Sequence, residues 1–196
     1  MPAAAAAERV LAHAGEIGDV HARIGAHQLV VDFYLHTGEL ARARAVLDAA
    51  LALCGAGDDG GGGERPVILA KTAWLRVAEG EPALALEQLR KLGEVPRLED
   101  RFVVAFVGAA ASRASGDPAG ARSWLATVDI GVETATESLA MVLTERLHLA
   151  AATAQGDTAA RARAEALFAA GQVPAFEGRH LRQALDSPSQ RRAVPS

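Results

Sequence analysis

A glycine followed by an acidic residue recurs four times along this chain, as Gly38-Glu39, Gly80-Glu81, Gly116-Asp117 and Gly156-Asp157. Each copy closes one Ala-rich apolar stretch and opens another. Glycine takes the left-handed conformation that ends a helix without steric cost, and an acid is favoured at the N-terminal end of the next helix. The dipeptide therefore predicts a tight turn between two helices. Successive copies lie 42, 36 and 40 residues apart, within the range of stacked helix-pair repeats.

Composition agrees with helices. Hydrophobic residues make up 50% of 196 and aromatics only 4%. Alanine dominates; it is the best helix former and lets helices approach closely, whereas a sheet wants β-branched and aromatic residues. Apolar periodicity and breakers predict helices over 3–14, 20–36, 40–53, 67–78, 82–92, 101–115, 118–128, 137–154, 158–170 and 175–185. Ile24, Val31 and Tyr34 mark the buried side of the second helix, and Phe176, Leu181 and Leu185 that of the last. Pro82 and Pro118 suit first-turn positions, where a missing N–H costs nothing. Thr134 and Glu137 have capping-box spacing. The glycine-rich run 55–65 predicts a flexible loop, and 187–196 a disordered tail. A phosphate-binding role for that run is disfavoured, since no strand precedes it and no Lys-Ser/Thr pair follows.

Several function classes lose support. The net charge is −4 and the pI about 5.9, and no helix carries the clustered basic surface that nucleic-acid binding needs. Arg179, Arg182, Arg191 and Arg192 lie among Glu177 and Asp186 and read as a solvated C-terminus. No segment approaches the length of a membrane span, and the short apolar N-terminus lacks the form of a secretory signal; a cytoplasmic protein is expected. Cys54, the only cysteine, sits in the apolar run Leu51-Ala52-Leu53 and reads as a small buried thiol. The six histidines are scattered; His21 and His27, six apart, fall on different helix faces, whereas a zinc pair on a helix wants three or four. Glu137 and Glu145, eight apart, read as ordinary exposed acids. No nucleophile motif is present. A non-enzymatic protein without cofactor or metal is the expectation.

The residues after each glycine are more specific. Ala43, Leu47 and Ala50 follow Gly38 at offsets of five, nine and twelve; Ala85, Leu89 and Leu92 follow Gly80, and Ala121, Leu125 and Val128 follow Gly116, at the same offsets. Seven residues before the glycines stand Val31, Ala73, Ala109 and Leu149. This pattern resembles the tetratricopeptide repeat, in which a small residue lets two helices approach and larger ones fill the space below. Tyr34 and Pro96 match that family's aromatic and closing proline. The fourth copy departs, with Arg161, Glu165 and Phe168 at the three offsets; removing one residue from its turn restores Ala160, Ala164 and Leu167. The resemblance spans roughly residues 20–170.

It implies an all-α fold: a right-handed superhelix, or α-solenoid, of about four antiparallel helix pairs with flanking helices at both ends, forming a single domain over 1–186. It also implies a concave groove lined by the first helix of each pair. Gln28, Asp32, His36, Trp74, Phe106, Arg113 and Arg146 are then the groove candidates, with Trp74 and Phe106 as an apolar centre flanked by the two arginines. The implied role is a protein–protein interaction scaffold for a peptide or protein partner. Two alternatives are a helical sensor or oligomerisation module of a bacterial transcription regulator, self-associating as a homodimer, and a secretion-type chaperone. A lysine–arginine–asparagine clamp for a peptide C-terminus is not expected, because the chain has no asparagine and only Lys71 and Lys91.

Overall fold

A computed structural model describes residues 2–55, 63–132, 136–173 and 175–187. Most of the glycine-rich run, Thr134 of the capping box, the Phe176 side chain and residues 188–196 lie outside the described part. Among the described residues ten helices form: α1 Pro2–Glu16, α2 Val20–Thr37, α3 Leu40–Gly55, α4 Arg65–Ala78, α5 Pro82–Arg90, α6 Leu98–Ala114, α7 Pro118–Leu125, α8 Thr136–Ala152, α9 Thr158–Ala169 and α10 Ala175–Leu185. Among the described residues there is no strand, and no helix is long and apolar enough to cross a membrane. The all-α expectation holds, and the helix boundaries fall within three residues of those read from periodicity.

The helices divide into two compact units, Met1–Glu94 with α1–α5 and Val95–Ser196 with α6–α10. In the first unit α2 packs on α3 and α4 on α5; α3 and α2 both meet α4, and α1 lies on α2. In the second, α6 packs on α7 and α8 on α9. There α8 also touches α6, α7 and α10.

Three of the four turns form as the dipeptide predicts. Gly38, Gly80 and Gly116 are left-handed, with φ of 75°, 83° and 75°. The following N–H reaches back to a carbonyl of the helix just ended: Glu39 to Tyr34 at 2.9 Å, Glu81 to Arg76 at 2.8 Å and Asp117 to Ser112 at 2.9 Å. These bonds satisfy carbonyls that a helix C-terminus otherwise leaves unpaired. The fourth turn corrects the expectation. Helix α8 ends early, and the left-handed residue is Ala154, at φ 55°, not Gly156. Gln155 then makes the equivalent bond to Ala150 at 3.1 Å. The spacer before α9 is accordingly longer, and Gly156 falls past the strained position. Asp157 still caps α9, its Oδ1 accepting the Ala160 N–H at 2.9 Å. The one-residue shift inferred for this copy is what the structure has: Ala160, Ala164 and Leu167 are buried.

An alanine in the left-handed region carries a steric penalty that glycine escapes. Ala154→Gly is expected to stabilise the chain by about 0.5–1 kcal/mol, after allowing for the greater freedom of glycine in the unfolded state. Thermal unfolding should show the midpoint rise by a few degrees; an unchanged or lower midpoint would mean the turn is not strained.

Ala43, Ala85 and Ala121 are buried, as are Leu47, Leu89 and Leu125 and, on the preceding helices, Val31, Ala73, Ala109 and Leu149. Small side chains thus sit where paired helices meet. In the hairpin of α6 and α7 the approach is closer still. A Cβ added at Gly108 would strike the Trp124 indole, 2.6 Å from its Cγ. Glycine within a helix costs about 1 kcal/mol against alanine. Here it leaves room for a large ring to lie against the α6 backbone.

Candidate functional site

In the first unit, Gln28, Asp32 and His36 recur every four residues along α2 and so share one line of that helix. Helix α4 packs against α2 and supplies Lys71 and Trp74. The Lys71 ammonium donates to both Asp32 carboxylate oxygens, at 2.7 and 2.6 Å, and to the Gln28 carbonyl at 3.4 Å. The Lys71 side chain is only 5% exposed, that of Asp32 32%. Gln28 donates from Nε2 to Glu64 at 3.0 Å. The His36 Nδ1–H donates to the Asp32 carbonyl at 2.7 Å, and its ring meets Trp74 edge to face with centroids 4.7 Å apart. Trp74 itself is half-buried. Four of the sequence candidates therefore converge on one α2–α4 surface. Lys71 and Glu64, which hold two of them in place, were not legible as partners because their contacts cross from α2 to residues 36 and 39 positions later.

The second-unit candidates are engaged separately. Phe106 of α6 is buried, 8% exposed. Arg113, near the end of α6, forks onto Glu145 of α8: Nε to Oε2 and a terminal nitrogen to Oε1, both at 2.9 Å. Arg146, the next residue on α8, donates from Nε to the α9 cap Asp157 at 2.6 Å.

Glu145 overturns its reading as an ordinary exposed acid, since its side chain is 6% exposed. Helix α8 is covered by four other helices, and every residue from Ser138 to Glu145 is buried. Burial pushes the Glu145 carboxyl up; the His148 ring 3.7 Å away and the hydrogen-bonded Arg113 guanidinium outweigh it and hold the group below the usual glutamate range. The bond to Glu145 correspondingly raises the Arg113 guanidinium, against the opposing effect of burial. Each unit thus has a first-helix-to-first-helix ion pair, Asp32–Lys71 and Arg113–Glu145.

Cys54 is buried, and that burial pushes its thiol up, away from the thiolate that a nucleophile or metal ligand requires. Among the described residues no three His, Cys, Asp or Glu side chains gather as a metal site. No protein-family model matches the chain, and no curated protein or solved structure matches it.

Proposed function

We propose that the chain is a non-enzymatic interaction module that holds a peptide or protein partner against the first-helix surface formed by α2 and α4. The α2–α4 surface itself carries this reading. Trp74 is half-buried with His36 edge-on to it, and on the same pair of helices Asp32 is held by Lys71 and Gln28 by Glu64. A part-exposed aromatic among satisfied polar groups has the make-up of an interface hot spot. Side chains already ordered before association lose less entropy on binding. The same proposal extends to the finer arrangement, in which the helix hairpins follow one another in a right-handed, tetratricopeptide-like superhelix with the first helices on its concave side.

The test is a titration. Proteins captured by the wild-type chain from its source are identified by mass spectrometry, and the most enriched is titrated against wild type and Trp74→Ala. The variant should keep its helical circular dichroism and lose about thirtyfold in affinity, the effect of truncating a hot-spot residue worth ~2 kcal/mol. Equal affinity in a folded variant would remove the surface from consideration.

A further inference from the structure

A cleft of ≈ 340 Å³ opens in the second unit beside the end of α7, the C-terminal half of α8 and the turn into α9. Leu125, Val128 and Leu149 give it an apolar wall, and Arg122 and Arg146 line it as well. Its only acid is Asp157, and both oxygens of that carboxylate are already used: Oδ1 accepts the Ala160 N–H and Oδ2 accepts Arg146 Nε. The terminal nitrogens of Arg146 make no hydrogen bond among the described residues, and the Arg122 side chain makes neither a hydrogen bond nor an ion pair there. Two arginines thus line the cleft against one carboxylate that is already committed, which leaves a net positive charge next to aliphatic surface.

We propose that this cleft receives an acidic side chain and an adjacent aliphatic side chain from a protein partner. The carboxylate meets Arg122 and the terminal nitrogens of Arg146, and the aliphatic group covers Leu149 and Val128. Charge complementarity selects the acid, because a carboxylate on a guanidinium makes charge-assisted hydrogen bonds about twice as strong as neutral ones. The openness of the cleft selects a peptide over a free small molecule. Arg122, Ala126, Gln155 and Gly156 are all exposed, so the site cannot enclose the ~70–90% of a ligand's surface that small-molecule sites bury. A chain passing over it needs to insert only one or two side chains. The side chains of segment 188–196 do not complement the site, since they include Arg191 and Arg192 and no Asp or Glu. The cleft is distinct from the α2–α4 surface and stands whether or not that surface binds anything.

The experiment uses the ¹⁵N-labelled full chain and three probes: the tripeptide acetyl-Leu-Glu-Leu-amide, its glutamine counterpart, and acetate. The glutamate peptide should produce saturable shifts confined to the Arg122 side chain and the backbone amides of residues 149–156. Its affinity should fall at least fivefold in the glutamine peptide and in Arg122→Gln, and fall again as salt screens the charge. Arg122 is exposed and unpaired, so its replacement leaves the fold intact; Arg146 is a poorer target because its loss also frees Asp157. Trp74→Ala should leave the peptide response unchanged, which separates this site from the α2–α4 surface. Absence of shifts, equal binding of the glutamine peptide, or equal shifts from acetate at the same concentration would each overturn the proposal, the last by showing a simple anion site.

Discussion

Asp32→Ala should unfold at markedly lower denaturant than the wild type, with a loss of about 2–3 kcal/mol. The size follows from what the substitution leaves behind. Lys71 is 5% exposed and gives two of its hydrogen bonds to Asp32. Without that carboxylate, a buried ammonium retains only the Gln28 carbonyl at 3.4 Å. Removing one partner of a buried pair costs about 3–5 kcal/mol, and the partial exposure of Asp32 places this case at or below the low end. Replacing both members is far milder, because no unpaired charge stays inside. Asp32→Ala combined with Lys71→Met should therefore recover most of the stability in a urea titration. Asp32 is also a candidate contact residue, so the double variant has a second use. If it regains stability and still binds the partner, Asp32 serves the fold; if it regains stability but not binding, Asp32 meets the partner directly. A single variant as stable as wild type would show that the ion pair contributes little.

Gly108→Ala should cost about 1–2 kcal/mol, although alanine is the better helix residue. The added methyl would overlap the Trp124 ring. Either α7 shifts outward or the indole leaves its seat, and both forfeit packing that the helix-propensity gain of about 1 kcal/mol does not replace. Shrinking the ring should reverse the sign. In a Trp124→Leu background the methyl has room, and Gly108→Ala should be neutral or stabilising. The double-mutant cycle, followed by thermal unfolding, isolates this coupling. Equal costs in both backgrounds would mean that the ring does not set the requirement for glycine.

The two cases show where the sequence was readable and where it was not. Helices, turns and the buried alanines are local or periodic properties: a glycine before an acid and apolar residues at helical spacing mark them without knowledge of neighbours. Gly38, Gly80 and Gly116 behave as their local chemistry requires. Gly156 does not, because α8 ends four residues before it, whereas α4 and α6 end two before Gly80 and Gly116, and the spacer into α9 is longer, which only the observed end of the helix reveals. Pairings across helices are another matter. The family resemblance puts Gln28, Asp32, His36 and Trp74 in one groove together with Phe106, Arg113 and Arg146, but nothing in the sequence marks Lys71 and Glu64 as partners of the first four. Glu145 looked like any surface acid because a charged residue on a helix usually is one. Its burial depends on four other helices covering α8. Gly108 and Trp124 are sixteen residues apart, and no pattern announces that one makes space for the other.

The position of α8 has a consequence for how the second unit comes apart. A row of hairpins in which each touches only the next can fray from its end one hairpin at a time. Helix α8 is the link in such a row, in contact with the preceding pair α6 and α7, its partner α9 and the following α10. Peeling away the terminal helices strips the cover from Leu139, Leu143 and Leu147 together with the Glu145 carboxylate. Fraying from that end therefore bares apolar side chains and a paired carboxylate of α8 at once, which raises its cost above that of the helix that leaves.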